Sequence, residues 1–304
     1  MNTDSSFIRI SVFFMMSGLI SLLSQNNPIN FPDVKPKELK STHKINSSEL
    51  NEASGLVKSQ MWEDVFWTLN DSGDEARIFP INSRGEILKP DWMKNYQGIQ
   101  IPDAVNVDWE SITTDNHGNL VIGDCGNNSN ARRDLALYWI KEPYPWETVT
   151  TRIFKKVLYY YPEQKEFPAK QLNFDAEAIF WADDYVYILT KHRSDSKTRL
   201  YRIDPSRTES EIPALLLEEF DIQGRVTAAD IDSGGRQLVV LTEKALWLFL
   251  KQNSADKFFE GEKYWLPIKI SGGEAVALDG ENIIILNEAG DLFTLNRKDL
   301  HSLH

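Results

Sequence analysis

Five times along the chain a short step, Glu-Ala or Glu-Ser in four copies, opens an apolar run, and a polar residue closes the next run at nearly constant distance. A period of this kind forces a repeat architecture, because one such unit cannot bury its own apolar face and must stack on its neighbours. The openings are Glu52-Ala-Ser-Gly-Leu, Glu110-Ser-Ile-Thr, Glu177-Ala-Ile-Phe, Ala228-Ala-Asp-Ile and Glu274-Ala-Val-Ala-Leu. The closing residues are Asp71, Asp124, Lys191, Glu243 and Glu288, at intervals of 19, 14, 14, 15 and 14.

Between the paired runs lie residues that tolerate positive φ, such as Asn116-His117-Gly118, Asp183-Asp184, Gly234-Gly235 and Asp279-Gly280; these predict tight hairpins. A third β-type run follows in every unit. A fourth follows in the first four units, near residues 86–88, 152–161, 215–220 and 263–266, and the fifth has none. A ring of four-stranded antiparallel blades commonly takes the missing strand of its last blade from the other end of the chain. Residues 41–46 are placed to supply it. The reading is an all-β, five-bladed β-propeller over residues 41–304, closed between N- and C-terminal strands. Six blades is the alternative if residues 89–107 or 161–173 hide another unit.

Ahead of the repeats, residues 10–23 form an apolar stretch of signal-peptide length, short for a membrane span. Residues 1–24 are therefore expected to be a signal peptide or an uncleaved anchor, residues 25–40 a tether, and the protein secreted or periplasmic. The formal charge of −12 repels nucleic acid and anionic membrane, so cations are the natural counter-ligands. Cys125 is the only cysteine; it excludes an internal disulfide, and its acidic and amide neighbours disfavour a reactive thiolate.

In a propeller the start of each inner strand and the end of its neighbour meet at one face. This brings Glu52, Glu110, Glu177 and Glu274 to one channel mouth, beside Asp71, Asp124 and Lys191. Converging carboxylates raise one another's pKa or need a cation, and calcium, with oxygen ligands and flexible geometry, answers that need. The competing reading makes each Glu a structural acceptor for backbone amides of the next blade. Asp71, Asp124, Asn127, Asn128, Arg132 and Lys191 are the expected ligand contacts, with turn capping as the alternative role of the Asp and Asn residues. His192 is the candidate proton acceptor. Trp67, Trp109 and Trp181 fit blade packing. No nucleophile elbow, phosphate loop or dinucleotide fingerprint occurs.

Glu52-Ala-Ser-Gly-Leu, Leu69-Asn-Asp-Ser-Gly, Asn106-Val-Asp-Trp-Glu110 and Ile122-Gly-Asp-x-Gly-Asn-Asn128 followed by Arg132 resemble the signature of a group of secreted bacterial propellers related to the lactonase-like and NHL-like propellers. The resemblance is strongest over residues 50–143. In gluconolactonase-type propellers a Glu at an inner-strand start holds a divalent ion, which implies that role for Glu52 and Glu110. Calcium-activated apyrases carry comparable Glu steps, with which Glu52, Glu110, Glu177 and Glu274 align loosely, but their nucleotide-binding arginines have no match here. Two functions follow as expectations. One is calcium-supported recognition of a small molecule or extracellular partner at the mouth; the other is metal-dependent hydrolysis of a lactone, ester or phosphoanhydride.

Overall fold

A computed structural model describes residues 29–115, 117–252 and 256–303. Five antiparallel sheets succeed one another along the chain, each with its first strand innermost, and they form a five-bladed β-propeller. The inner strands are Ala53–Lys58, Trp109–Thr114, Asp175–Ala182, Val226–Ile231 and Gly273–Asp279. They follow one another around the axis, and the fifth packs on the first to close the ring. Their side chains are buried on both faces because each blade is covered by two neighbours, so these runs do not alternate apolar with polar. The outer strand Ile153–Tyr160 does alternate, with Phe154, Lys156 and Tyr160 exposed.

The turns joining first to second strands follow the expected chemistry: Asp183 and Asp184 take φ of 48° and 65°, and Gly280 takes 59°. Between the blades the apolar faces merge into continuous clusters. Trp67 and Trp109 are fully buried there and Trp181 nearly so, and the Trp67 indole N–H finds Glu142 Oε1 at 2.8 Å.

Closure uses the segment expected for it. His43 and Lys44 pair antiparallel with Leu292 and Asp291, the third strand of the fifth blade. The stretch read as a tether is held where it is described: Lys37–Glu38 run parallel to Ile268–Lys269 on the outer edge of the fourth blade. Phe31 sets its ring edge-on to Trp247 and Trp265 at 5.7 and 5.0 Å, which gives that segment an apolar anchor. Residues 10–23 lie outside the described residues. Among the described residues no helix is long and apolar enough to cross a membrane.

Two details differ from the sequence expectation. The outer strand of the first blade is Ile99–Gln100, paired with Arg77–Ile78, and Ile87 near the expected position makes only a bridge to Ile81. Residues 89–107 therefore finish the first blade and add no sixth. Ile212–Pro213 return to the outer edge of the second blade, running parallel to Tyr159–Tyr160, before the chain completes the third blade.

Candidate functional site

Each inner strand carries one extra residue near its start, where its register against the second strand slips. Such a bulge re-aims the unpaired side chain. The bulged residues are Gly55, Glu110, Glu177, Thr227 and Glu274. The repeat thus sets three Glu residues by a bulge, and the first blade's equivalent of Glu110 is Gly55. Glu52 precedes the strand and is exposed, with its carbonyl accepting the Asp71 N–H at 3.0 Å; it stands outside the group of buried acids. In the fourth blade the equivalent position falls on Thr227, one residue before Ala228.

The bulges aim Glu110, Glu177 and Glu274 into one end of the channel. There they meet Asp71, Asp108, Asp124 and Asp175 from the strand ends and loops. Glu110, Asp124, Asp175 and Glu177 are buried. Three cations serve these acids: Arg132 Nη2 lies 2.9 Å from Asp124 Oδ1, Lys191 Nζ 3.1 Å from Glu177 Oε1, and Arg193 Nη2 2.7 Å from Asp175 Oδ2. Asp71, Asp108 and Glu110 have no ion pair among the described residues, and one carboxylate oxygen from each lies within 4.8 Å of the others. The Glu110 carboxylate has only a distant hydroxyl, Ser54 Oγ at 3.5 Å.

The protonation equilibria record this crowding. Glu110 is pushed well above the usual carboxylate range, first by burial and then by Glu177, Asp71 and Asp108. Burial and the neighbouring Asp175 raise Glu177 to about 8, against the pull of Lys191. Glu274 rises to about 7 and Asp108 to about 6, burial again being the largest cause. Gly126 makes the packing feasible. A side chain there would collide with the Asp108 carboxylate and would bring its Cβ to 2.7 Å from Glu110 Oε1, and the Gly126 N–H donates to the Asp108 carbonyl at 3.0 Å.

The surrounding polar residues hold the walls. Asn127 donates its backbone N–H to Asp175 Oδ1 at 2.7 Å and its side-chain N–H to Phe174 O at 3.1 Å, and accepts from the Arg132 N–H at 2.9 Å. Its amide is thus engaged in joining the second blade to the third. Asn128 accepts from Arg193. The Cys125 thiol is fully buried and pushed up by desolvation, consistent with the absence of a reactive thiolate.

His192 is apart from the acids. Its ring is buried, and Nδ1 sits 2.7 Å from Asp195 Oδ1. Burial lowers its pKa, and the charges acting on it are Asp195, Arg199 and Glu219, all on the third blade. A base for the carboxylate cluster is therefore not to be sought in His192. Sequence reasoning also passed over Asp108 and Asp175. Both precede a bulged Glu by two residues, so a repeated Asp-x-Glu, at 108–110 and 175–177, was their signal.

No family model matches the chain, and no curated protein matches it. Solved structures similar in outline include a chain of a mitotic checkpoint complex (9% identity, 97% of this chain and 99% of that one, TM-score 0.40). BamB of Moraxella catarrhalis is similar at 12% identity over 77% of this chain and 70% of its own, TM-score 0.33. The computationally designed Ika8 protein is similar at 10% identity over 80% and 70%, TM-score 0.32.

Proposed function

We propose that this propeller is a recognition module whose acidic mouth is completed by a divalent cation, calcium in the first place, held by Asp71, Asp108 and Glu110. The supporting observation is the set of three carboxylate oxygens within 4.8 Å of one another, without a protein cation among the described residues. An ion bound at about 2.4 Å from each oxygen spans ligands up to about 4.8 Å apart, so the spacing suits calcium. Three side chains leave several of its six to eight coordination positions for water and for an oxygen-bearing ligand. The ligand would meet Arg193 and Lys191 at the same mouth. Asp124 and Arg132 brace the wall, the Asp108 N–H donating to Asp124 Oδ1 at 3.1 Å.

The apolar segment at 10–23 supports export, and the resemblance of residues 50–143 to lactonase-like and NHL-like propellers supports a metal at an inner-strand Glu. Extracellular calcium modules work at about 10⁻⁴–10⁻³ M, and a similar affinity is expected. At about ten times its dissociation constant such an ion adds about 1.4 kcal/mol of stability, worth roughly 3–5 °C in melting temperature for a domain of this size. Calcium should raise the melting temperature of chelator-treated protein by that amount and leave Asp108→Asn unchanged; an equal rise in both would remove these ligands from the account.

A second reading, metal-dependent hydrolysis, draws support from Glu177, which with a pKa of about 8 holds a proton at neutral pH beside the cluster. A lactone or aryl ester turned over with calcium, and slowed about 100-fold or more in Glu177→Gln, would favour it, as expected for a lost general acid.

A further inference from the structure

The end of the channel away from the acidic mouth carries an aromatic cluster on its surface. The inner strand Ala53–Lys58 and the third strand of the second blade, Ala136–Lys141, both run toward that end, and the segments that follow them bring Trp62, Tyr144 and Trp146 together. Tyr144 lies 5.1 Å from Trp62 and 5.2 Å from Trp146, and the two indoles are 6.3 Å apart, at interplanar angles from 60° to 85°. Inside the blades Trp67, Trp109 and Trp247 are fully buried. Here Tyr144 and Trp146 are 42% and 38% exposed, and Met61 adds its exposed thioether. Exposed rings grouped in this way mark a contact for a molecule with apolar faces.

One hydroxyl holds the cluster. Ser59 Oγ accepts the Met61 and Trp62 N–H groups at 3.0 and 2.8 Å and donates to Glu142, which fixes the first segment against the second. Ser59 also lines a cavity of about 590 Å³ at this end, within the usual range for ligand sites. Platform and cavity therefore share a wall.

The lining is polar and nearly balanced in charge, with Lys58 and Arg297 against Asp230, Asp232 and Glu281. Lys58 is further paired to Asp279, and backbone amides occupy Asp230 and Asp232 at 2.8 and 2.7 Å. A charged ligand would meet its like here about as readily as its opposite. A neutral one with many hydroxyls meets donors and acceptors without a net charge to oppose. Gln60 is exposed and donates to Thr114 Oγ1 at 2.8 Å, so its amide still has an oxygen and a second N–H to offer.

We propose that this face binds a neutral oligosaccharide, one sugar ring laid by its apolar C–H face on Trp146 and Tyr144, and a further ring directing hydroxyls to Gln60, Asp232 and Ser233 in the cavity. The site needs no metal and stands independently of the calcium reading.

The test is calorimetric titration of the full chain in the presence of a chelator, with cellohexaose, maltohexaose, hexagalacturonate, glucose and a blocked oligoproline as probes. At least one neutral hexasaccharide should bind, and more tightly than glucose by about tenfold or more, because it engages platform and cavity together. The polyanionic hexagalacturonate should be weaker than the neutral chain. Trp146→Ala should weaken the saccharide by about tenfold or more, the scale of a lost aromatic anchor, and Gln60→Ala by about threefold to tenfold, the scale of one hydrogen bond. Gln60 is an exposed side chain, so its variant tests the cavity even if Trp146→Ala fails to fold. Binding of oligoproline with neither neutral hexasaccharide bound at millimolar concentration would make the face a peptide site and overturn the proposal. Absence of all binding, or saccharide affinity equal in the wild type and the folded variants, would overturn it as well.

Discussion

The two ends of the channel are built from the same five strands, yet they handle acids in opposite ways. At the end opposite the candidate site, in and beside a cavity of about 590 Å³, three acids each have a partner of their own. Asp279 takes Lys58. Asp230 accepts the Leu278 N–H at 2.8 Å, and Asp232 caps the turn amides of Arg236 and Gln237 at 2.7 and 2.9 Å. At the candidate site Asp71, Asp108 and Glu110 share a space without an ion pair among the described residues; Asp71 accepts the Ser72 N–H, and Glu110 has only the Ser54 hydroxyl at 3.5 Å. Satisfied acids are part of the fold, whereas converging acids without a counter-charge either hold protons or take up a cation. The difference arises from the bulges, which lie at the starts of the inner strands and turn Glu110, Glu177 and Glu274 toward each other at one end only.

Four comparisons test that contrast. The largest effect is expected at Gly126, where a methyl would collide with the Asp108 carboxylate. Gly126→Ala should cost about 1–3 kcal/mol and abolish the calcium-dependent rise in melting temperature. At the other end Gly280 has nothing within 4 Å of a built Cβ but a φ of 59°, so Gly280→Ala should cost a similar amount, about 1–2 kcal/mol, with the calcium rise intact. Equal calcium responses in the two would erase the distinction.

Next in size is Glu110→Gln. It removes a buried carboxyl whose ionisation the site opposes, so it should stabilise the calcium-free protein near neutral pH while removing the gain of about 1.4 kcal/mol that calcium brings. A denaturant melt of the variant less stable than wild type without calcium would mean that Glu110 is satisfied by the fold.

The pH dependence follows in sign. Glu177, Glu274 and Asp108 have folded pKa values of about 8, 7 and 6, raised from roughly 4 in the unfolded chain. A raised acid contributes stability that is complete below its unfolded pKa and is lost as pH rises through its folded pKa. Between pH 5 and 8 the calcium-free protein should therefore lose more stability than Glu177→Gln does, and calcium should flatten the loss. Parallel slopes for the two proteins without calcium would contradict the assigned crowding.

The smallest effect belongs to the opposite end. Asp230, raised to about 7 mainly by burial, keeps its acceptor role as Asn, so Asp230→Asn should shift stability by about 1 kcal/mol or less and leave the calcium response unchanged in a thermal melt.

The ring, its closure and most strand positions were legible in the sequence, because hairpin turns and the interval of 14 or 15 residues express local chemistry. The site was legible only in part. Glu110, Glu177 and Glu274 stood out as repeated residues, but a bulge inserts one residue without changing the apolar pattern, and so Glu52 was matched to a place that Gly55 occupies. The outlying interval of 19 in the first unit was the sign of that slip. His192 failed for a different reason: its fate depends on Asp195 and the third-blade packing around it, and pairing of that kind has no period. Asp108 carried a signal in the repeated Asp-x-Glu, yet its freedom from a cation is decided by where Arg132, Lys191 and Arg193 reach, which only the assembled ring determines.

Whether Asp71, Asp108 and Glu110 share one ion is measured by calorimetric titration of calcium into chelator-treated protein. One calcium should bind per chain with a dissociation constant of about 10⁻⁴–10⁻³ M, and binding should be lost in Asp108→Asn and in Glu110→Gln and kept in Asp230→Asn. No saturable heat with the wild type and no calcium-dependent shift in its melting temperature, or binding of equal strength in Asp108→Asn, would contradict it.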